Sequence, residues 1–329
     1  MNNNFEQGGL GAAVAGAAGC PPVITVAICT RNRAALLAEA VRSVLPQLCD
    51  DSEVVIVDNS STDETAKVAA GFAAANQRVR VFSETEIGLS VTRNTALAEA
   101  RGRYVIFLDD DATAEDGWVK AYRRFFLDPP SARVVGAGGA VFPRYEHPPP
   151  AWFDPEAHSL DWGGDPRAFA RRGGPWGCNF AVERKRAIEL GGFSVSYGRK
   201  GKSMAAHEET EIFQRFQRSG WEMWWLPGAR IKHLVPASRL TLKFQCLVMF
   251  SFGRSSASLR WQSVSGGMRR TLFVCARLVA TPFQVMICLV GGLGMVIVLR
   301  NRIAAKLLLH SARVAGFAYQ LTLDALGVR

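Results

Sequence analysis

Three adjacent carboxylates, Asp109-Asp110-Asp111, follow the uncharged apolar run Tyr104 to Leu108 in the segment GRYVIFLDDDA. Their mutual repulsion asks for a compensating charge. Oxygen ligands of this kind suit Mg2+ or Mn2+, which take one or two carboxylates and leave other positions to phosphate oxygens and water. An acidic turn that caps the following helix accounts for the same residues without a ligand. A second acidic group, Glu208-Glu209-Thr210-Glu211, opens the segment IFQRFQRSG. Acids in a first helical turn complement the helix dipole, so pattern alone leaves Glu208 and Glu209 open between that role and a functional one. His233, in KHLVP, reads by default as a structural histidine.

The elements that must position these groups follow from the chain in order. Val23 to Cys29 is a buried strand broken by Thr30-Arg31-Asn32-Arg33, and Leu37, Val41, Val44, Leu45 and Leu48 then recur at helical spacing. Val54 to Val57 is a second strand, closed by Asp58-Asn59-Ser60-Ser61. Ser61 with Glu64 matches a capping box for a helix reaching about Phe72. A third strand, Val79 to Phe82, leads to a helix from about Ser90 to Arg101 with Gly102 as its stop, and Tyr104 to Leu108 is the fourth strand.

Short all-apolar strands alternating with helices predict a parallel sheet covered on both faces. Ligands of such sheets sit outside the carboxyl ends of the strands, where Thr30 to Arg33, Asp58 to Ser61 and Asp109 to Asp111 all fall. That shared edge predicts a nucleotide site. No G-x-G-x-x-G follows the first strand and no G-x-x-x-x-G-K-[ST] occurs, which argues against a dinucleotide dehydrogenase and a P-loop NTPase. Further on, Val134 to Val141 is a glycine-rich strand, Arg144 to Trp152 an extended surface loop, and Gly173 to Phe180 a turn-rich stretch. The helix opened by the second acidic group ends at Gly220, and Trp221 to Leu226 and Ala229 to His233 read as two short strands.

The chain has 329 residues, 48% apolar and 21% charged, enough for a substantial core. Its net charge of +10 implies an anionic partner such as a nucleotide, a lipid headgroup or nucleic acid. The absence of a basic stripe with interleaved aromatics argues against nucleic acid. Seven scattered cysteines without a C-x-x-C pair imply reduced thiols and a cytoplasmic catalytic domain. Residues 1–22 lack the basic start and bulky apolar run of a signal peptide and read as a disordered tail.

Taken together, VAICTRNR (26–33), VVIVDNSSTDET (54–65), EIGLSVTRN (86–94), FLDDDA (107–112), GCNFAVER (177–184), GGFSVSYGRKG (191–201) and EETEIFQRFQRSGW (208–221) resemble the family 2 glycosyltransferases. The resemblance implies an α/β GT-A nucleotide-diphospho-sugar transferase fold, here with a mainly parallel central sheet, and a metal-dependent, inverting transfer from a nucleotide-diphosphate sugar. It implies nucleotide contacts from Thr30, Arg31, Asp58 and Arg93. Asp109 would reach the ribose or the metal, Asp111 the metal, and His233 a further metal or phosphate contact. Asn179 and Trp176 would lie near the donor sugar or acceptor. Family members usually read Glu-Asp where this chain has Glu208-Glu209, with the second acid as base, so Glu209 is the expected base and Glu208 its rival. On this reading residues 23–135 bind the nucleotide sugar and 136–236 bind the acceptor and carry the base.

Residues 237–329 differ in character and are expected to be helical and membrane-associated. Leu278 to Leu299 carries no charge over 22 residues, near the ~20 that cross a bilayer, but Pro282 and Gly291-Gly292-Leu293-Gly294 interrupt it. Basic residues flank it on both sides, and Ile303 to Leu321 suits an interfacial helix. A helical hairpin, re-entrant or short-spanning, would hold the enzyme on the cytoplasmic face of the inner or plasma membrane, beside a glycan or lipid-linked acceptor of envelope or exopolysaccharide synthesis. A buried helix pair or a dimer contact accounts for the same pattern. A nucleotidyltransferase would need a glycine-rich triphosphate loop that Thr30 to Arg33 lacks, and a catalytically inactive membrane-bound scaffold would have no use for the retained acids.

Overall fold

The computed structural model describes residues 23–169, 174–196, 208–263, 282, 285–286 and 301–326. The amino-terminal 22 residues and nearly all of Leu278 to Leu299 lie outside them, and with them the expectations of a disordered tail and a membrane hairpin.

The first half folds as its periodicity predicts: β1 (Ile24–Thr30), α1 (Ala34–Val44), β2 (Ser52–Asp58), α2 (Thr65–Ala75), β3 (Val79–Ser83), α3 (Leu89–Glu99) and β4 (Tyr104–Leu108). Strands β3-β2-β1-β4 lie side by side and parallel. All of β2 and β4 and nearly all of β1 are buried, which is why these strands lack polar alternation. Two local readings are corrected. The Ser61/Glu64 capping box does not form, because the Ser61 hydroxyl donates to Asp58 Oδ1 while Asp63 Oδ1 accepts the Thr65 amide at 2.9 Å. Gly102 is not the helix stop, since α3 ends at Glu99; it lets β1 approach, and a Cβ there would stand 2.5 Å from the Thr25 nitrogen.

The second half breaks the parallel pattern, and the sheet is mixed rather than mainly parallel. It adds β5 (Ala112–Ala114), α4 (Trp118–Leu127), β6 (Val134–Tyr145), β7 (Arg167–Ala168), β8 (Asn179–Glu183), α5 (Arg184–Glu189), α6 (Glu208–Arg218) and β9 (Glu222–Val235). Strand β8 runs antiparallel to both β4 and β6, β9 is parallel to β6, and β5 is antiparallel to β9. Apolar runs identify strands but carry no direction, so this reversal has no local signal. The two short strands expected between Trp221 and His233 are one strand, β9, whose register against β6 shifts between Gly139 and Val141. A Cβ on Gly139 would collide with the Ala229 carbonyl oxygen, so the glycine permits that crossing. Arg144 and Tyr145, expected in a loop, close β6.

A turn at Ala237–Leu240 leads into α7 (Leu242–Ser263), which packs against α8 (Asn301–Leu326). The two backbones meet at Gly253, facing the Arg313 carbonyl, and at Gly316, facing that of Phe250. Among the described residues no helix is long and apolar enough to cross a membrane.

Candidate active site

The carboxyl ends of β1 and β2 are in register, Thr30 opposite Asp58, and the Asn59 amide donates to the Thr30 carbonyl at 2.9 Å. Both loops then turn through left-handed residues, Asn32 (φ 53°) and Ser60 (φ 55°), which fold the polar clusters back over the sheet edge. The Ser61 hydroxyl and amide hold the Asp58 carboxylate, and Arg31, in the loop after β1, is half-buried. Thr30 donates its hydroxyl to Asp110 Oδ2 at 2.7 Å, tying the first strand to the acidic triplet.

The triplet forms a turn, with the Ala112 amide donating to the Asp109 carbonyl at 3.0 Å. The three carboxylates therefore diverge through a turn, where alternation along an extended strand would have been the simpler expectation. Asp109 is one-third exposed, while Asp110 and Asp111 are buried. Asp110 faces inward to Thr30 and Arg33 (2.7 Å), and burial lifts its pKa to about 6 against the pull of Arg33. Asp111 receives Arg33 Nη1 at 3.1 Å, Arg239 Nη2 at 3.4 Å and His233 Nε2 at 3.0 Å. Burial opposes its charge, but the His233 hydrogen bond and the charges of His233, Arg33 and Arg239 hold it well below the usual carboxylate range. His233 arrives through the β5–β9 ladder, which pairs it with Ala112, and the Leu234 amide donates to the Asp111 carbonyl at 2.8 Å.

One ligand atom each from Asp109, Asp111 and His233 lies within 4.8 Å of the other two. Two carboxylate oxygens and an imidazole nitrogen fit a divalent cation that keeps positions open for phosphate oxygens.

Glu208 and Glu209 open α6. Glu208 is buried, and its Oε1 accepts from Arg93 Nη1 at 2.8 Å. Glu209 is half-buried, accepts the Thr210 hydroxyl at 3.2 Å, and lies against Gly177, where a Cβ would stand 3.4 Å from its Oε2. Both pKa values are raised, chiefly by burial; the charge of Glu209 adds to the rise at Glu208, and Arg93 opposes it at both. Trp176, half-buried, precedes Gly177 on the same loop.

Two expected site residues are not at the pocket wall. Asn179 is fully buried: its Oδ1 accepts from Trp118 Nε1 and Tyr122 Oη, both at 2.9 Å, and its amide nitrogen donates to the Ala140 and Ala229 carbonyls at 3.0 and 2.8 Å. With its hydrogen-bonding groups spent on α4, β6 and β9, it has none to offer a sugar. Arg93, expected against the nucleotide, is 1% exposed and lies beneath the site. Sequence reasoning passed over Arg33 and Arg239 as partners of Asp111. Arg33 belongs to the polar cluster after β1 and was within reach of that argument, whereas Arg239 lies in a surface turn without any motif.

Residues 25–187 match the family described as Glycosyl transferase family 2. A glucosyl-dolichyl phosphate glucuronosyltransferase of Haloferax volcanii is 30% identical over 236 residues, covering 70% of this chain and 74% of that relative. The succinoglycan biosynthesis protein ExoM of Rhizobium meliloti is 23% identical over 320 residues, covering 93% and 96% of the two chains. In three dimensions a mannosyltransferase from Pyrobaculum calidifontis, solved in complex with GDP-Man and Mn2+, is similar with a TM-score of 0.55. That likeness has 19% sequence identity, covers 94% of this chain and 76% of that one, and speaks for a shared GT-A-like α/β fold.

Proposed function

The chain belongs to glycosyl transferase family 2 and is a glycosyltransferase, and from that premise we propose a metal-dependent, inverting transfer from a nucleotide-diphosphate sugar to a glycan or lipid-linked acceptor. The observation that carries this reading is the convergence of Asp109, Asp111 and His233 within 4.8 Å at the carboxyl edge of the sheet, with Glu209 joined to that group through Gly177 and Arg93. Those three residues would hold Mg2+ or Mn2+, and the cation, when bound, offsets the negative charge that gathers on the leaving diphosphate.

The remaining roles fall to the chain itself. Thr30, Arg31 and Asp58 form the nucleotide edge, and Arg33 and Arg239 add positive charge where the diphosphate would lie. Glu209 takes the proton of the acceptor hydroxyl as that oxygen bonds to the anomeric carbon. The bond from that carbon to the diphosphate oxygen breaks, and its electron pair departs with the diphosphate. Attack from the face opposite the leaving group inverts the anomeric centre. On this division residues 23–135 hold the donor, and 136–236 bring the base and acceptor.

A lipid-linked acceptor is supported by the Haloferax relative, whose name carries a dolichyl phosphate, and by a Campylobacter jejuni relative, a GalNAc(5)-diNAcBac-PP-undecaprenol beta-1,3-glucosyltransferase, 33% identical over 92 residues that cover 27% of this chain and 30% of that relative. Apolar side chains exposed on α7 and α8, among them Leu247, Ile303 and Tyr319, together with the net charge of +10, support a place at the anionic cytoplasmic face of a membrane. The test is incubation with a panel of labelled nucleotide sugars and with short glycan or polyprenyl-linked acceptors, with Mn2+ or EDTA. Mn2+-dependent transfer with an inverted anomeric centre by NMR is the expected result. Transfer that persists in EDTA overturns the metal role, and a retained configuration overturns the single displacement.

A further inference from the structure

We propose that Arg93 is a positioning residue which, by gripping Glu208, fixes the start of α6 so that Glu209 faces the acceptor. This rests on the glycosyltransferase reading above and adds the device that selects between two adjacent glutamates.

Arg93 is among the most deeply buried charges in the protein, at 1% exposure. A guanidinium in such a place is tolerated only when it is paired and hydrogen-bonded, and here both terminal nitrogens have oxygen partners. Nη1 donates to Glu208 Oε1 at 2.8 Å, and Nη2 donates to the Gly177 carbonyl at 2.7 Å and lies 3.3 Å from Asp109 Oδ1. The rings of Phe107, Phe180 and Phe193 surround it, with centroids 5.7, 5.2 and 5.6 Å from the guanidinium carbon. One side chain on α3 thus joins the acidic turn after β4, the loop before β8 and the first residue of α6. These are the pieces that the proposed chemistry must keep in register.

The grip has a directional consequence. Successive side chains on a helix diverge by about 100°, so holding Glu208 inward turns Glu209 elsewhere. Glu209 then lies against Gly177, the residue whose carbonyl Arg93 also holds. Glu208, with Oε1 engaged and the side chain buried, cannot come within hydrogen-bond reach of an incoming hydroxyl as a base must.

Two variants test the assignment, each compared with Glu209→Gln for kcat, donor KM, melting temperature and the pH profile of transfer. Glu208→Gln leaves Arg93 an oxygen acceptor, so the fold should persist. It should lower kcat about tenfold with donor KM nearly unchanged, a loosening smaller than the ~100-fold cost of a 1 Å misplacement. Because a negative neighbour is gone, the acid limb of the profile should remain and move to lower pH. The charge-free pair Arg93→Met/Glu208→Met should keep most of its thermal stability and still lose about a hundredfold in kcat. Wild-type kcat in a folded double variant would reduce the pair to charge compensation and overturn the proposal. Loss of the acid limb in Glu208→Gln, with its survival in Glu209→Gln, would overturn it in the other direction. If the double variant does not fold, the rate and the acid limb of Glu208→Gln decide alone. A wild-type protein that transfers from no nucleotide sugar would instead sink the glycosyltransferase reading itself.

Discussion

Strands β1 to β4 and strands β5 to β9 deliver residues to the same sheet edge by different means. In the first half each polar cluster follows directly from a buried strand, so Thr30, Asp58 and Asp109 reach the edge through local chain geometry. In the second half nothing local suffices. His233 meets Asp111 through an antiparallel ladder between segments more than a hundred residues apart, and Glu208 meets Arg93 across a similar separation. A scaffold of local order therefore supplies the proposed donor side, and long-range pairing brings the candidate base and a candidate third metal ligand to it. Damage to the second half should cost chemistry or stability in ways that the surface of the first half does not.

The largest effect is expected at Glu209. Glu209→Gln should lower kcat by roughly a thousandfold while leaving donor KM nearly unchanged. Since burial raises its pKa, wild-type transfer should climb with pH through an acid limb that lies above the ordinary glutamate value of about 4.3, the carboxylate being the active form. A limb at or below that value would mean a different base.

Next comes Asn179, where the contrast can be broken outright. Asn179→Ala would strand the Trp118 and Tyr122 donors and the Ala140 and Ala229 carbonyls inside the core. A loss of about 3 kcal/mol in urea unfolding is expected, with nucleotide affinity per folded molecule unchanged. Full stability with weakened sugar binding would return Asn179 to the pocket. The smallest effect should fall on the outer surface of the first half. Lys67→Ala removes an exposed ion pair with Glu64 (2.9 Å) at the start of α2 and should shift stability by no more than ~1 kcal/mol.

The same division explains what could be read from the chain. Apolar runs and the polar residues that end them marked out β1 to β4 and the proposed nucleotide edge, because both are properties of contiguous sequence. The direction of β8, the continuity of β9 and the inward turn of Asn179 depend on partners that no nearby residue announces. Asn179 is instructive, since the family resemblance of GCNFAVER implied a sugar contact while four distant partners drew its side chain into the core. The Arg93–Glu208 pair was hidden for the same reason. The acidic triplet was legible as a site, yet its division was set by the turn: Asp109 and Asp111 join His233, and Asp110 braces the floor through Thr30 and Arg33.

The claim that the two halves share one metal centre is tested most directly by titrating Mn2+ into the protein with a nucleoside diphosphate and following free Mn2+ by electron paramagnetic resonance. Wild type should bind one Mn2+ per chain, Asp111→Asn none in the same range, and His233→Ala at least tenfold more weakly. Mn2+ binding unchanged in both variants would contradict a centre built from both halves.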